Sequence, residues 1–311
     1  MQFLVLSLLF TQFVTSTPIP IPTSSNIHHK SHKSHKSHKS HKSNSSTSSN
    51  NYTSSNSGNF LNLDVTELVN VNPLNWDKTS GGNGLKSVVK DPSGSGSVLK
   101  VDYLAGSFAS NSGKSAGGMG VYASPRSIFP AKSVRFLYDI YFPSNFIPVK
   151  GGKLPGLYIG KKGASGGNHI PDGASCRLMW RAGLRAEAYI YVLKPQDPSY
   201  DSIPNIYYNP THGDSIWRGS LNFKAGEWNT VDMTLTVNTF SNNQANADGK
   251  LSLTINGVTM SFDKFIWATI PSAGVITGIE WQTFFGGGSI DFATPVDTSV
   301  YFKNVQIKKL I

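Results

Sequence analysis

The sequence predicts an all-β fold, a β-jelly-roll sandwich of antiparallel sheets. Three observations support this prediction. Short segments in which apolar and polar residues alternate recur along the chain, and clusters of Gly, Pro, Asn and Ser separate them. The chain has 30 glycines and 17 prolines, enough for many tight turns. Helical periodicity is scarce, and many short strands in one unit are typical of a jelly roll.

The alternating segments give the predicted strands in chain order. They are Val98–Tyr103, Ser133–Phe142, Thr230–Val237, Leu251–Ile255 and Val300–Ile307. Asn256-Gly257 lies between two such runs, the arrangement of a two-residue hairpin. Two segments, Asp64–Val69 and Phe262–Trp267, fit single helical turns. No internal repeat or second boundary interrupts the pattern, so we predict one domain over residues 60–311.

The N-terminal part of the chain has a different composition. Residues 1–16 contain the apolar run Phe3–Val14 followed by small residues, which predicts a secretory signal peptide. This run is shorter than the roughly 20 residues that span a membrane. The glycosylation sequons at Asn44 and Asn51 fall in the segment that follows. We therefore expect a secreted glycoprotein, extracellular or associated with a cell wall, with no membrane anchor.

Residues 17–59 are predicted to be a disordered Ser/His/Lys-rich linker, because such a composition buries too little apolar surface to offset its ordering entropy. The linker carries five lysines and no acid, which is half of the net charge of +10. A solvated spacer is the simplest interpretation. Weak metal binding or attraction to acidic wall polymers is the alternative, since histidine gains charge below a pKa of about 6.5.

Cys176 is the single cysteine, so no intrachain disulfide can form. It stands within an alternating strand and is expected to be a small core residue. The remaining charge of the globular part is mildly basic, which suits a polyanionic partner. No nucleic-acid-binding motif is present.

Polar residues collect on one face of a predicted hairpin. In the strand from Ser175 to Arg181, Ser175, Arg177 and Arg181 share a face. The next strand places Tyr189 and Tyr191 on one face, and Glu187 with them. A three-residue loop would set Arg177 opposite Tyr189, whereas a five-residue loop would set it opposite Tyr191.

Lys153 stands between Gly151-Gly152 and Leu154-Pro155-Gly156. Proline cannot donate a ladder hydrogen bond, so this strand is predicted to be bulged or at a sheet edge. Bulges often re-aim side chains beside a functional site. Taken alone, Lys153 would be a solvated surface lysine.

Together these residues fit β-elimination on a uronate polysaccharide. A base removes the proton on C5, beside the carboxylate, while an acid protonates the leaving O4. Arg177 can neutralise the carboxylate through two hydrogen bonds, and a tyrosine or lysine transfers protons if a neighbouring cation lowers its pKa. Ser175 would bind substrate or orient Tyr191.

Other reactions lack their residues. The paired carboxylates of glycoside hydrolases are missing, and Glu187 and Glu280 are isolated in the sequence. The sequence contains no H-E-x-x-H motif. His169 and His212, in Gly/Pro/Asn loops, are expected to be exposed.

Three motifs resemble polysaccharide lyase family 14, whose members act on alginate or related glucuronate polymers. They are G-G-K-L-P-G-L-Y (151–158), S-C-R-L-M-W-R (175–181) and E-A-Y-I-Y (187–191). Weaker similarity covers most of residues 74–311. The resemblance implies a jelly roll with a concave substrate groove, and a lyase acting on alginate or glucuronan.

The resemblance also implies the site residues. The family's functional residues match Lys153, Ser175, Arg177, Tyr189 and Tyr191. We assign Arg181 and Gln282 to substrate binding, and expect no metal or other cofactor. The expected partner of this monomer is an acidic polysaccharide, with no nucleic acid or membrane. A non-catalytic carbohydrate-binding wall protein and a structural wall protein are the alternatives.

Overall fold

Two antiparallel sheets pack against each other in the part of the chain that the computed structural model describes, residues 58–64, 76–78, 85–109 and 117–311. The described residues belong to one unit, residues 52–311. The predicted signal peptide, nearly all of the predicted linker and the sequons at Asn44 and Asn51 lie outside the described residues and stay predictions. The same holds for all but the first residue of the predicted turn Asp64–Val69.

The described residues form strands and short 3-10 turns. The strands are β1 (Phe60–Leu63), β2 (Trp76–Lys78), β3 (Lys86–Lys90), β4 (Ser97–Tyr103), β5 (Met119–Ala123), β6 (Ser133–Tyr141), β7 (Gly151–Gly160), β8 (Gly173–Arg181), β9 (Arg185–Tyr191), β10 (Asp214–Asn222), β11 (Trp228–Thr236), β12 (Phe240–Ser241), β13 (Gln244–Ala245), β14 (Gly249–Ile255), β15 (Val258–Phe265), β16 (Ile276–Phe285) and β17 (Thr298–Lys309). The 3-10 turns are Ala182–Leu184, Pro198–Ser202, Pro271–Ala273 and Ile290–Phe292. None of the described helical segments is long and apolar enough to cross a membrane.

The strands divide into two large sheets and one small ribbon. The eight-stranded sheet has the order β15-β14-β11-β6-β17-β4-β3, and β1 pairs with β17. The seven-stranded sheet has the order β10-β9-β8-β7-β16-β5-β2, and β12 pairs with β13. Neighbours such as β6 and β17 are far apart in sequence, so most pairings are non-local. The predicted antiparallel jelly-roll sandwich is confirmed.

All five predicted strands are present. The segments beginning at Val98, Ser133, Thr230, Leu251 and Val300 lie in β4, β6, β11, β14 and β17. The hairpin at Asn256-Gly257 is also confirmed: both residues have positive φ, 51° and 82°. This backbone geometry matches the twist of the flanking strands.

The single helical turn predicted for Phe262–Trp267 is wrong, because most of this segment belongs to strand β15. Phe262 pairs with Leu251 and Phe265 pairs with Gly249, and the register shifts between these pairs. This irregularity makes the spacing of the two phenylalanines three residues instead of two. A bulged strand therefore produced the spacing that we interpreted as helical.

The core between the sheets is rich in aromatic side chains. Trp281 of the seven-stranded sheet contacts Phe136, Tyr138 and Phe302 of the other sheet at centroid distances of 5.2–6.3 Å. Cys176 is fully buried here and has no disulfide, as predicted. The polar groups described next lie on the opposite face of the seven-stranded sheet.

Candidate active site

The β8–β9 hairpin sets the central residues of the candidate site. The connection is the three-residue turn Ala182–Leu184. Ser175 pairs with Tyr191 and Arg177 pairs with Tyr189, so the first of the two possible registers is correct. Alternation then puts the side chains of these four residues on the outer face of the sheet, while Cys176 faces the core.

A bulge in β7 brings Lys153 to the same face. The register with β8 shifts between Leu154 and Leu157, both of which are fully buried. Strand β7 lies inside the sheet between β8 and β16, so the prediction of a bulge is confirmed and that of an edge strand is wrong. The Tyr138 hydroxyl donates to the Pro155 carbonyl at 3.2 Å, so a core residue of the opposite sheet supports the bulge.

Gly156 is required for the approach of β7 to β8. A Cβ atom there would lie 2.0 Å from the Cys176 carbonyl oxygen and 2.5 Å from the Arg177 Cα. Neither neighbour can move without displacing the backbone that carries Arg177. The bulge and this glycine together fix the position of Lys153 relative to Arg177.

Lys153 is held in an environment that disfavours its charge. Its Nζ lies 3.2 Å from the centroid of the Tyr189 ring and donates to Met179 Sδ at 2.8 Å. Burial lowers its pKa well below the usual value, and the charges of Arg177 and Arg181 lower it further. The expected effect of neighbouring cations on this lysine is confirmed, and its neutral form is accessible as a base.

Arg177 is buried beside two groups from β16. Its Nη1 donates to Gln282 Oε1 at 2.5 Å and lies 3.1 Å from Glu280 Oε1. Its Nε and Nη2 have no hydrogen-bond partner among the described residues. Buried guanidinium donors without partners are costly, so the geometry leaves two adjacent donors of Arg177 for a further acceptor.

Glu280 is a site residue that the sequence analysis missed. It is 1% exposed, its Oε2 has no partner among the described residues, and burial raises its pKa while Arg177 opposes that shift. The Tyr122 hydroxyl is 3.4 Å from Oε1. Glu280 stands two residues before Gln282, so alternation along one strand was the signal that placed them on one face.

The two tyrosine hydroxyls each accept a backbone hydrogen bond. The Gly213 amide donates to Tyr189 Oη at 3.2 Å, and the Gly167 amide donates to Tyr191 Oη at 3.1 Å. Burial nevertheless raises the pKa of Tyr189, and Tyr191 adds to the effect. Desolvation thus comes first and outweighs Arg177, which lowers the pKa of this tyrosine as expected but does not bring it below its usual value.

Ser175 contacts the loop that covers the site. Its hydroxyl donates to the Ala164 carbonyl at 2.6 Å and makes no bond to Tyr191, which is a correction to one of its two expected roles. The same loop carries His169, exposed as predicted, with its ring 5.2 Å from that of Tyr191. His212 is also exposed. The loop over residues 161–172 thus closes over the outer face of the hairpin.

Arg181 belongs to a second ionic group on this face. Its Nε and Nη2 bond Glu187 Oε1 at 2.8 and 2.5 Å. Arg218 Nε bonds Glu187 Oε2 at 2.5 Å, and the Ser215 hydroxyl bonds Glu187 Oε1 at 2.9 Å. Glu187 is fully buried and fully paired. Two arginines around one carboxylate leave this group with a net positive charge.

The described residues hold no group of three or more His, Cys, Asp and Glu side chains that could bind a metal ion. The titratable groups of the site are instead Lys153, Tyr189, Tyr191 and Glu280, and Arg177 lies among them. These residue types are ones that can exchange protons and bind an anion.

Comparison with known proteins places this geometry in context. The protein family described as Polysaccharide lyase 14 matches residues 91–305. The crystal structure of the marine PL-14 alginate lyase from Aplysia kurodai superposes with a TM-score of 0.65 at 27% identity, over 76% of this chain and 90% of that one. The crystal structure of alginate lyase vAL-1 from Chlorella virus gives a TM-score of 0.68 at 27% identity, over 80% and 98%.

A curated relative is longer. The protein called Exolysin, from Paramecium bursaria Chlorella virus 1, is 29% identical over 191 residues. The match covers 55% of this chain and 29% of that protein. The chain therefore spans less than a third of the length of this relative.

Proposed function

Because the chain belongs to polysaccharide lyase family 14, we propose that it is a lyase that cleaves a uronate-containing polysaccharide by β-elimination. The names of two structural relatives describe them as alginate lyases. We extend that substrate class, alginate or a glucuronan-type polymer, to this chain.

The observation that carries the proposal is the pair of buried Arg177 donors that have no partner among the described residues. Its guanidinium is 2% exposed and keeps two adjacent nitrogens, Nε and Nη2, without partners among the described residues. A planar carboxylate accepts such a pair of hydrogen bonds. The uronate carboxylate therefore fits here, and Arg177 would neutralise the charge that develops on it when C5 loses its proton.

The directions of two pKa shifts indicate which residue acts as the base and which acts as the acid. The lowered pKa of Lys153 makes its neutral amine available, so Lys153 takes the proton from C5. The C5–H electron pair forms the C4=C5 double bond, and the C4–O4 bond breaks. The raised pKa of Tyr189 keeps its hydroxyl protonated, so Tyr189 donates to O4. The Lys153 Nζ lies 3.2 Å from the centroid of the Tyr189 ring, near enough for base and acid to serve adjacent atoms of one sugar.

Glu280 would regulate how much charge Arg177 offers. Its raised pKa means that it is protonated more readily than an ordinary glutamate. A substrate carboxylate arriving at Arg177 adds a second negative charge, which raises the pKa of Glu280 further. Protonation of Glu280 then leaves the positive charge of Arg177 to the substrate.

Substrate binding requires the covering loop to move. Ser175 and Arg177 are buried, and the Ala164 carbonyl and the Gly167 amide bond Ser175 and Tyr191. Opening of residues 161–172 would free the Ser175 hydroxyl and the Tyr191 hydroxyl for substrate. Arg181 then acts through the positive charge of its ionic group with Glu187. Gln282 acts by fixing the position of Arg177.

The experiment is incubation of the full chain with alginate, polymannuronate and glucuronan, followed by ultraviolet absorbance of the unsaturated uronate product. We expect absorbance to rise with at least one polymer. Alginate whose carboxyl groups have been reduced is the control, because it lacks the group that acidifies C5. Absence of product from every uronan would overturn the proposal, as would equal cleavage of the reduced polymer.

A further inference from the structure

An exposed tyrosine extends the polar face beyond the candidate active site. Tyr207 forms an isolated antiparallel bridge with Ser215, and Ser215 pairs with Tyr189 in β9. Residues opposite each other in antiparallel strands share a face, so Tyr207 lies on the same side as Tyr189. Two strand spacings, about 10 Å, separate the two tyrosines. Tyr207 is 50% exposed.

A β-bulge with a strained backbone places the Arg218 side chain beside this tyrosine. Ile216 and Trp217 are both fully buried in the core although they are consecutive. Trp217 reaches the core because it has a φ of 60°, a left-handed conformation that bulky residues rarely adopt. The next residue, Arg218, is thereby returned to the outer face. Such strain persists only where the surroundings impose it, and it concentrates at functional sites.

The guanidinium of Arg218 can bind a ligand while it stays bonded to Glu187. Its Nε and Nη2 bond Glu187 and Ser215, while its Nη1 makes no hydrogen bond within the described part of the chain. Its Cζ lies 4.2 Å from the centroid of the Tyr207 ring. With Arg181 also on Glu187, the ionic group has a surplus positive charge beside an exposed aromatic ring.

We propose that Tyr207 and Arg218 form a subsite for a further uronate residue of the polymer, beyond the sugar that reacts. The ring of Tyr207 stacks on the apolar face of that sugar, and Arg218 Nη1 binds its carboxylate. The subsite rests on the proposed function for its substrate class. It adds a specificity for long acidic chains, since a short oligosaccharide ends before it reaches β10.

The test compares Tyr207→Ala with Tyr208→Ala. Tyr208 is the adjacent residue and is 51% exposed, but it bonds Asp201 and lies near Lys194 on the other side of the segment. The two variants therefore remove equal rings from the same loop. For long uronans we expect Tyr207→Ala to raise KM about tenfold with kcat unchanged, the size expected for loss of an aromatic contact. Tyr208→Ala is expected to match the unchanged protein.

Chain length and binding separate the subsite from the reaction. Cleavage of uronan oligosaccharides of increasing length should show no difference between Tyr207→Ala and the unchanged protein for the shortest substrates. Calorimetric binding of a long oligouronate, in a Lys153→Ala background that prevents turnover, should weaken about tenfold with Tyr207→Ala. Arg218→Lys, which keeps a charge beside Glu187 but loses the planar contact, should weaken it similarly. Equal affinities would overturn the subsite, whether or not the lyase assay yields product.

Discussion

A buried carboxylate lies beside each of the two sheets, and the two are held in opposite ways. Asp91, at the end of β3, accepts hydrogen bonds from the Ser93 amide, Trp228 Nε1 and Lys303 Nζ at 2.8, 3.2 and 2.8 Å. Burial by itself raises the pKa of Asp91, but these bonds, with Lys303 first, outweigh it and lower the pKa to about 2. Glu280, on the seven-stranded sheet, has one oxygen without a partner among the described residues and a raised pKa.

The difference separates charge that stabilises the fold from charge that is available for chemistry. A fully bonded carboxylate such as Asp91 is ionised over the whole ordinary pH range and fixes the strands around it. A buried group with missing partners costs free energy in the folded chain, and the same holds for Arg177. Removing an unsatisfied group should therefore cost activity, and removing a satisfied group should cost stability.

The largest expected effect is on the reaction rate and comes from Lys153. Lys153→Ala removes the proposed base, so we expect kcat to fall by about 10²- to 10⁴-fold. Lys153→Arg should lose as much, because a guanidinium keeps its proton at every working pH. The free energy of unfolding should not decrease in Lys153→Ala, since burial disfavours the ammonium that is removed.

Lys150→Ala provides the matched control for this prediction. Lys150 precedes the same strand and forms an exposed ion pair with Asp291 at 2.9 Å. Rate assays and denaturant unfolding of the three variants test the comparison. Retention of most activity by Lys153→Ala or Lys153→Arg would remove Lys153 from the proposed mechanism.

The next effect is on stability and comes from Asp91. Its pKa falls from 3.8 to about 2 on folding, which corresponds to about 2 kcal/mol of stability above the unfolded pKa. This stability is lost as the pH falls from about 4 toward 2, because the Asp91 carboxylate then becomes protonated in the folded chain as well. Asp91→Asn should lower the free energy of unfolding by about 2 kcal/mol at neutral pH and leave kcat unchanged.

Denaturant unfolding at neutral and acidic pH measures this effect. The exposed carboxylate Asp263, on the same eight-stranded sheet, supplies the control Asp263→Asn, which should change stability little. A stability loss that is the same at pH 2 as at neutral pH would contradict the role of the Asp91 charge.

The sequence predicted the parts of the site that depend on local pattern. Alternation placed Ser175 and Arg177 on one face, and the short connection between the strands restricted the register to two choices. Pro155 indicated the irregular strand that carries Lys153. These properties are local because alternation, turn length and proline act within a few residues.

The parts that depend on non-local pairing were not predicted. Glu280 was judged isolated because its partner, Arg177, is more than 100 residues away and meets it only through the β7–β16 pairing. The raised pKa of Tyr189 was also missed, since it arises from burial of the hydroxyl in the folded chain and from the neighbouring Tyr191. Burial of this kind is decided by tertiary packing, which a single sequence does not display.

The smallest expected effect is on the pH profile and comes from Glu280. The proposed base acts in its neutral form, so activity rises as the pH increases through the pKa of Lys153. The negative charge of Glu280 raises that pKa. Glu280→Gln removes the charge and keeps the shape, so the rising limb of kcat/KM should move to lower pH, by up to about one unit.

Glu227→Gln, on an exposed carboxylate 3.5 Å from Lys224, should leave the limb in place. A limb that moves to higher pH would contradict the prediction. A limb that stays in place would show that Glu280 carries no charge that Lys153 senses, and the contrast with Asp91 would then be one between a neutral and an ionised carboxyl group.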